Sequence, residues 1–226
     1  MPDVPRLDER RCVVEIIGVA GSGKSTVFEA LESQSKRVHG RPHLRAIAGP
    51  LQIAVALAAA LLTLLARRAL VPGAVGEQLR MIAHLRLLPR FFERESALGG
   101  IYVFDQGPIF YLTRRILMHP RLGDWRTQAL AAWASALDLV VWLDASDAVL
   151  AERINAREAA HRLKGTAVDD AVQELSRARS VLRELVEELE AACDRPEILR
   201  YDTTRGSTDA VVEAVLRTCS GRRGSG

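Results

Sequence analysis

One stretch of this 226-residue chain has residue types and spacing suited to holding phosphate: Gly18-Val19-Ala20-Gly21-Ser22-Gly23-Lys24-Ser25, which fits G-x-x-x-x-G-K-[ST]. Glycines without Cβ atoms let successive backbone N–H groups point into one concavity. A helix starting after Gly23 would add its positive dipole end to the same spot. Lys24 is expected to reach the β- and γ-phosphates of a nucleotide, and the Ser25 hydroxyl to ligate Mg²⁺. Gly18, Ala20, Gly21, Ser22, Gly23, Lys24, Ser25 and Thr26 are therefore the expected nucleotide-binding residues.

The elements around this loop decide whether it can work. Residues 11–17 (RCVVEII) form a β-branched run that reads as a buried strand, and KSTVFEALESQ after Gly23 reads as a helix. Further apolar runs, 101–104 (IYVF), 139–143 (LVVWL) and 198–201, predict strands, with a weak one at 36–39. Helices are predicted between them: 51–70, 76–97 with a kink at Pro89, a stretch to about Met118, 124–136, 147–163, 169–193 and 208–218. The apolar stripe of the 169–193 helix, Leu175, Ala178, Leu182, Leu185, Leu189 and Ala192, is expected to pack on its own domain. Strands alternating with helices predict an α/β chain, a three-layer P-loop NTPase fold with a mainly parallel sheet. The chain reads as a single domain over 1–226, with tails at 1–10 and 220–226, a helical excursion at 45–98 and a lid at 145–168. Ligands of such sheets lie beyond the carboxyl ends of the strands. Asp105, which ends the 101–104 run, should therefore meet the Gly18 loop and either hold Mg²⁺ or accept a proton from an attacking hydroxyl.

Composition narrows the function classes. A net charge of +3 gives no reason to expect a nucleic-acid partner. The polar segment 1–11 is no signal peptide, and Cys12, Cys193 and Cys219 show no metal-ligand spacing, so they read as reduced thiols of a cytoplasmic protein. Residues 51–66 (LQIAVALAAALLTLLA) are almost wholly apolar but shorter than the about 20 residues a membrane span needs. They read as a buried helix or part of a homodimer face, with membrane contact the less favoured reading. Asn155 is the chain's one asparagine and is followed by Ala156, so the Asn-Lys-x-Asp segment that reads guanine is absent and ATP is the expected nucleotide.

A strand, a Gly-x-x-x-x-Gly-Lys-Ser loop, an apolar strand ending in Asp, and an Arg-bearing helix later in the chain resemble the layout of nucleoside and nucleotide kinases. Within that group the layout resembles thymidylate kinases and deoxynucleoside kinases. The resemblance implies an ATP-dependent phosphotransferase with ATP and Mg²⁺ as cofactors and a small-molecule phosphate acceptor. It implies that Arg153 and Arg157, one helical turn apart with His161 and Lys164 following, belong to a lid whose arginine bridges the two phosphates. It also implies that the turn Tyr201-Asp202-Thr203-Thr204 borders the adenine, so that Arg153, Thr203 and Thr204 contact the nucleotide. Arg41-Pro42 is similar to the family's Arg-Glu-Pro segment with the Glu missing, and Arg86 lies near the place of a substrate-phosphate arginine. Gln106 stands where thymidylate kinases carry the Arg of Asp-Arg-Tyr. Arg41, Arg86 and Gln106 are the implied acceptor contacts, and Lys24, Asp105, Arg153 and Arg157 the implied catalytic set. The departure at Gln106 points to an acceptor other than thymidylate. It also motivates one alternative, a regulatory ATP-binding module with little turnover; the apolar run 51–66 motivates another, a membrane-associated protein anchored through it.

Overall fold

Five of the apolar runs become five strands of one parallel sheet. The computed structural model describes residues 11–94, 99–114, 117–156, 168–192 and 196–221. The strands are β1 (Arg11–Ile17), β2 (Val38–His39), β3 (Gly100–Phe104), β4 (Leu139–Asp144) and β5 (Glu197–Asp202), in the order β2-β3-β1-β4-β5. Every pairing is parallel, with Glu15 beside Phe104 and Ile17 beside Trp142. The helices are α1 (Lys24–Gln34), α2 (Leu44–Ile47), α3 (Pro50–Ala66), α4 (Val75–Arg94), α5 (Pro108–Leu112), α6 (Gly123–Ala134), α7 (Asp147–Ala156), α8 (Val168–Ala192) and α9 (Thr208–Gly221).

Alternation along β1 explains the layers. Cys12, Val14 and Ile16 face a core shared with Val27 and Leu31 of α1 and Val211, Val212 and Val215 of α9. Val13 and Ile17 face the opposite core, built by α3, α4, α5, α6 and α8. Side chains that alternate along a strand thus fill both faces, which is what a near-continuous apolar run requires. The expected three-layer α/β arrangement is the one observed.

Some boundaries differ from expectation. The helix after Asp105 stops at Leu112 rather than near Met118. Thr113 Oγ1 donates to Phe110 O at 2.7 Å, a local side-chain bond that competes with continuing the helix. α4 runs on through Pro89, about four turns into the helix, and buries it together with Leu85, Leu88 and Phe92. Residues 157–167, 11 of the 24 in the predicted lid, lie outside the described residues, as does Cys193.

The expectation of reduced thiols is corrected at two of the three cysteines. Cys12 on β1 and Cys219 on α9 form a disulfide with Cα atoms 5.6 Å apart, although 207 positions separate them. The pairing arises because α9 lies on the β1 face that carries Cys12; nothing in the local sequence of either residue signals it. A cross-link closing so long a loop restricts the unfolded chain strongly. Reduction is expected to lower stability by about 2–5 kcal/mol. Thermal melts with and without a thiol reductant, with Cys219→Ala as a control insensitive to reductant, check this.

Candidate functional site

The phosphate loop bridges the end of β1 and the start of α1. Gly18 takes φ +152°, and a Cβ there would meet Leu143 O at 2.3 Å, so the loop can press onto the end of β4 only with glycine. The turn is closed by Ser22 N–H donating to Val19 O at 3.3 Å, and Gly23 leads into α1, where Val27 N–H donates to Gly23 O. Lys24 Nζ donates to Gly18 O at 2.8 Å and Val19 O at 2.9 Å. Its ammonium is thereby held over the mouth of the loop.

A cavity of about 330 Å³ opens above this loop. Gly18 to Gly21, Gly23, Lys24 and Ser25 line one wall, and Asp105 and Gln106 line another. Register accounts for the meeting: Phe104 pairs with Glu15, so the residue after β3 emerges beside the end of β1. Asp105 is the one carboxylate, and Lys24 the one cation, lining the cavity among the described residues. The Ser25 hydroxyl and the Asp105 carboxylate are hard oxygen donors in a shared cavity, which fits Mg²⁺, an ion that takes one or two carboxylates and completes its shell with phosphate and water. No group of three or more His, Cys, Asp or Glu side chains able to hold a metal occurs among the described residues. α8 supplies Ala178 and Leu182 to the roof of the cavity.

A second cavity, about 270 Å³, lies on the other side of the loop. Its lining includes Ser22, Gly23, Thr26, Arg153 and Thr203. Arg153 donates to Gly21 O (3.3 Å), Thr203 Oγ1 (3.0 Å) and Thr203 O (2.8 Å), tying α7 to the phosphate loop and to the turn after β5. Arg153 and Thr203 therefore meet, next to the loop rather than across its mouth. Thr204 turns away and accepts from Ser146 N–H at 3.0 Å. Arg157 lies outside the described residues.

A third cavity, about 600 Å³, shares Gln106 and Phe110 with the first. Arg41, His43, Arg80, His84 and Arg114 line it, against the carboxylate of Glu77, the one acid in its lining among the described residues. Arg41 donates to Gln106 O at 3.2 Å and to the Tyr111 hydroxyl, and its guanidinium lies over the Tyr111 ring. Burial, with Arg41 and His43 nearby, pushes His84 down to about 4, so its imidazole is neutral near pH 7. Arg86 is placed elsewhere: it donates to Thr63 Oγ1 at 2.8 Å and lines a separate cavity against α3.

Sequence reasoning missed the residue that fixes Asp105. Glu15 is fully buried in β1. Its Oε1 accepts from Phe110 N–H (3.1 Å), and its Oε2 from Ile109 N–H (3.2 Å) and Trp133 Nε1–H (2.7 Å). The carboxylate thus caps the first turn of α5, directly after the Asp105-Gln106-Gly107 turn. Burial pushes Glu15 up to about 7, opposed by its N–H donors. A Cβ on Gly107 would come within 2.5 Å of Glu15 Cδ, so glycine is what lets the turn approach. The only sequence signal was a lone acid within an apolar strand. α8 is held over the site by Arg179, which pairs with Asp144 (2.9 Å) and Asp147 (2.8 Å).

No family model matches the chain, nor does any curated protein. Among solved structures, it is similar to deoxyadenosine kinase from M. mycoides with bound dATP, at TM-score 0.49 and 15% identity over 92% of this chain and 99% of that one. The same enzyme with the products dCMP and a flexible dCDP gives TM-score 0.48 and 16% identity over the same shares.

Proposed function

We propose that this chain is an ATP-dependent phosphotransferase that moves the γ-phosphate to a hydroxyl of a small, anionic acceptor. The observation carrying this reading is the junction of two cavities at Gln106 and Phe110: a glycine-walled phosphate cradle with Lys24, Ser25 and Asp105, and an arginine-lined chamber beside it.

In this reading the loop N–H groups and Lys24 bind the β- and γ-phosphates, and Ser25 would hold Mg²⁺ with Asp105 reaching it through water, an ion that would neutralise phosphate charge. The cavity beside Arg153, Thr26 and Thr203 takes the nucleotide base. Arg41, Arg80 and Arg114 hold the acceptor's anionic group, since guanidinium forks match carboxylate and phosphate oxygens. Asp105 orients the acceptor hydroxyl. As the acceptor oxygen bonds to the γ-phosphorus, the bond to the β-bridging oxygen breaks and ADP leaves. The hydroxyl proton passes to the Asp105 carboxylate or through it to water. The Lys24 ammonium, held at the mouth of the loop, meets the charge that develops, where a preorganised cation accelerates transfer.

The test is ADP release from Mg-ATP across hydroxyl compounds with and without an anionic group: nucleosides, nucleoside monophosphates, sugars and sugar phosphates. Stimulation by an anionic member, lost or cut at least tenfold in Arg80→Ala, is the expected result. ATP binding without stimulation by any member would instead favour the regulatory-module reading.

A further inference from the structure

α3 has no polar face. Ala56, Ala60 and Leu64 are buried against the body of the protein, with α4 the main neighbour. On the other side Leu51, Val55, Leu62 and Leu65 are 78%, 60%, 67% and 50% exposed. With Ala58 they recur at steps of three and four, one continuous stripe about 21 Å long at the helical rise per residue. A helix apolar all round is ordinarily covered on every side. No described helix is long and apolar enough to cross a membrane, so what covers this stripe meets it from outside.

Charge identifies the covering surface. Residues 33–76 contain no aspartate or glutamate, but they contain Arg41, Arg45, Arg67 and Arg68. At the start of α3 a cavity of about 630 Å³ is lined by Arg45, Arg86, Arg90 and Arg94, together with Leu51 and Val55 from the stripe itself, and no carboxylate lines it among the described residues. Arg86 Nε is buried there without a hydrogen-bond partner, and its guanidinium is held below its ordinary range by burial and by Arg90. A donor left unmatched among three further arginines fits an incoming anionic oxygen. At the far end Arg67 and Arg68 follow the helix, with Arg121 bonded to Arg68 O and the exposed acid Asp124 3.8 Å from Arg67. An exposed apolar stripe bordered by arginine at both ends can set the stripe in the acyl boundary while the arginines meet anionic headgroups.

We propose that α3 and its arginine rim form a docking surface for an anionic lipid bilayer, with phosphate headgroups in the Arg45/Arg86/Arg90/Arg94 cavity and the Leu51–Leu65 stripe in the acyl boundary. A second copy of the chain fits less well. A two-fold contact sets a patch against itself, and either orientation of α3 would bring arginine-rich ends together. The proposal stands independently of the phosphotransfer reading, because none of these residues lines the phosphate loop.

The experiment is sedimentation of the full chain with vesicles of phosphatidylcholine alone and of phosphatidylcholine mixed with phosphatidylglycerol, at low and high salt. Light scattering of the lipid-free protein runs in parallel. Binding is expected to the mixed vesicles only, to fall as salt screens the arginines, and to drop at least tenfold in Val55→Glu/Leu62→Glu and in Arg90→Glu/Arg94→Glu. Val55, Leu62, Arg90 and Arg94 are all exposed, and retained ATP binding and circular dichroism report that the variants fold. Inorganic phosphate is added as competitor: loss of vesicle binding at millimolar phosphate would mean a free-phosphate site and would overturn the bilayer assignment. Absence of sedimentation, binding indifferent to phosphatidylglycerol, or a dimer broken by Leu62→Glu without any vesicle binding would each overturn it as well. Should the variants misfold, the composition and salt series on the wild-type chain decides alone.

Discussion

Lys24→Ala is expected to lower acceptor-dependent ADP release by about two to three orders of magnitude, equivalent to about 3–4 kcal/mol of transition-state stabilisation. Lys24 is the one cation lining the phosphate cavity among the described residues, so its loss leaves that lining without a positive charge. The structural cost should be small by comparison. The substitution removes two bonds to Gly18 O and Val19 O, each worth about 1 kcal/mol net at a partly exposed site. A melting temperature lowered by only a few degrees, with turnover nearly gone, is the signature expected of a group acting on phosphate. Equal losses of stability and turnover would mean that Lys24 merely braces its loop. Unchanged turnover would remove the loop from the chemistry altogether.

Lys24→Arg sharpens the comparison. A guanidinium keeps the charge but is longer and planar, and it needs room that the loop carbonyls now occupy. It should restore little of the lost rate. Recovery near wild-type would point to bulk charge rather than a positioned ammonium.

How far the sequence carries depends on the range of the interaction. The phosphate loop and β1 were legible because each is written in adjacent residues: glycines at fixed steps and a short β-branched run. The place of Asp105 followed from one further rule, that ligands of a parallel sheet gather beyond its carboxyl ends. Residues whose roles depend on distant partners were not legible. Glu15 meets Ile109 and Trp133, 94 and 118 positions away. Cys12 meets Cys219 across nearly the whole chain. Arg86 was expected beside the acceptor, but helical phase turns it toward Thr63 of α3. The stripe of α8 was evident from its period, yet periodicity does not say what a stripe covers, and Ala178 faces the phosphate cavity. The apolar run of α3 illustrates the same limit: its composition announced burial, and the fold buries only one side.

Glu15 carries the second large effect, and it is one of pH. Its folded value near 7 lies above the 4.5 of an unperturbed carboxyl, because burial disfavours the charged form. Below about pH 4.5 the group is protonated in both the folded and the unfolded chain, and its contribution to stability is fully present. Between pH 4.5 and 7 the unfolded chain releases the proton first, and stability falls as pH rises. The difference of about 2.5 units corresponds to about 3 kcal/mol lost by pH 8. Glu15→Gln removes the titration while keeping the shape. One amide oxygen can still accept from Ile109 N–H and Trp133 Nε1–H, as Oε2 does now, and the bond from Phe110 N–H is lost. The stability of the wild-type chain relative to Glu15→Gln should therefore fall by about 2.5 kcal/mol between pH 5 and pH 8. Urea denaturation of both proteins at the two pH values measures this directly. His84, whose neutral form is favoured by burial, titrates in the opposite sense, but it is common to both proteins and cancels in the difference. Glu15→Ala is the harsher change: three buried N–H donors lose their acceptor, and a loss of about 3–5 kcal/mol is expected. Parallel wild-type and Glu15→Gln curves from pH 5 to 8 would mean that the carboxylate stays ionised throughout, held by its three donors against the cost of burial. In that case α5, and with it the Asp105 turn, would be fixed by charge at every pH the protein meets.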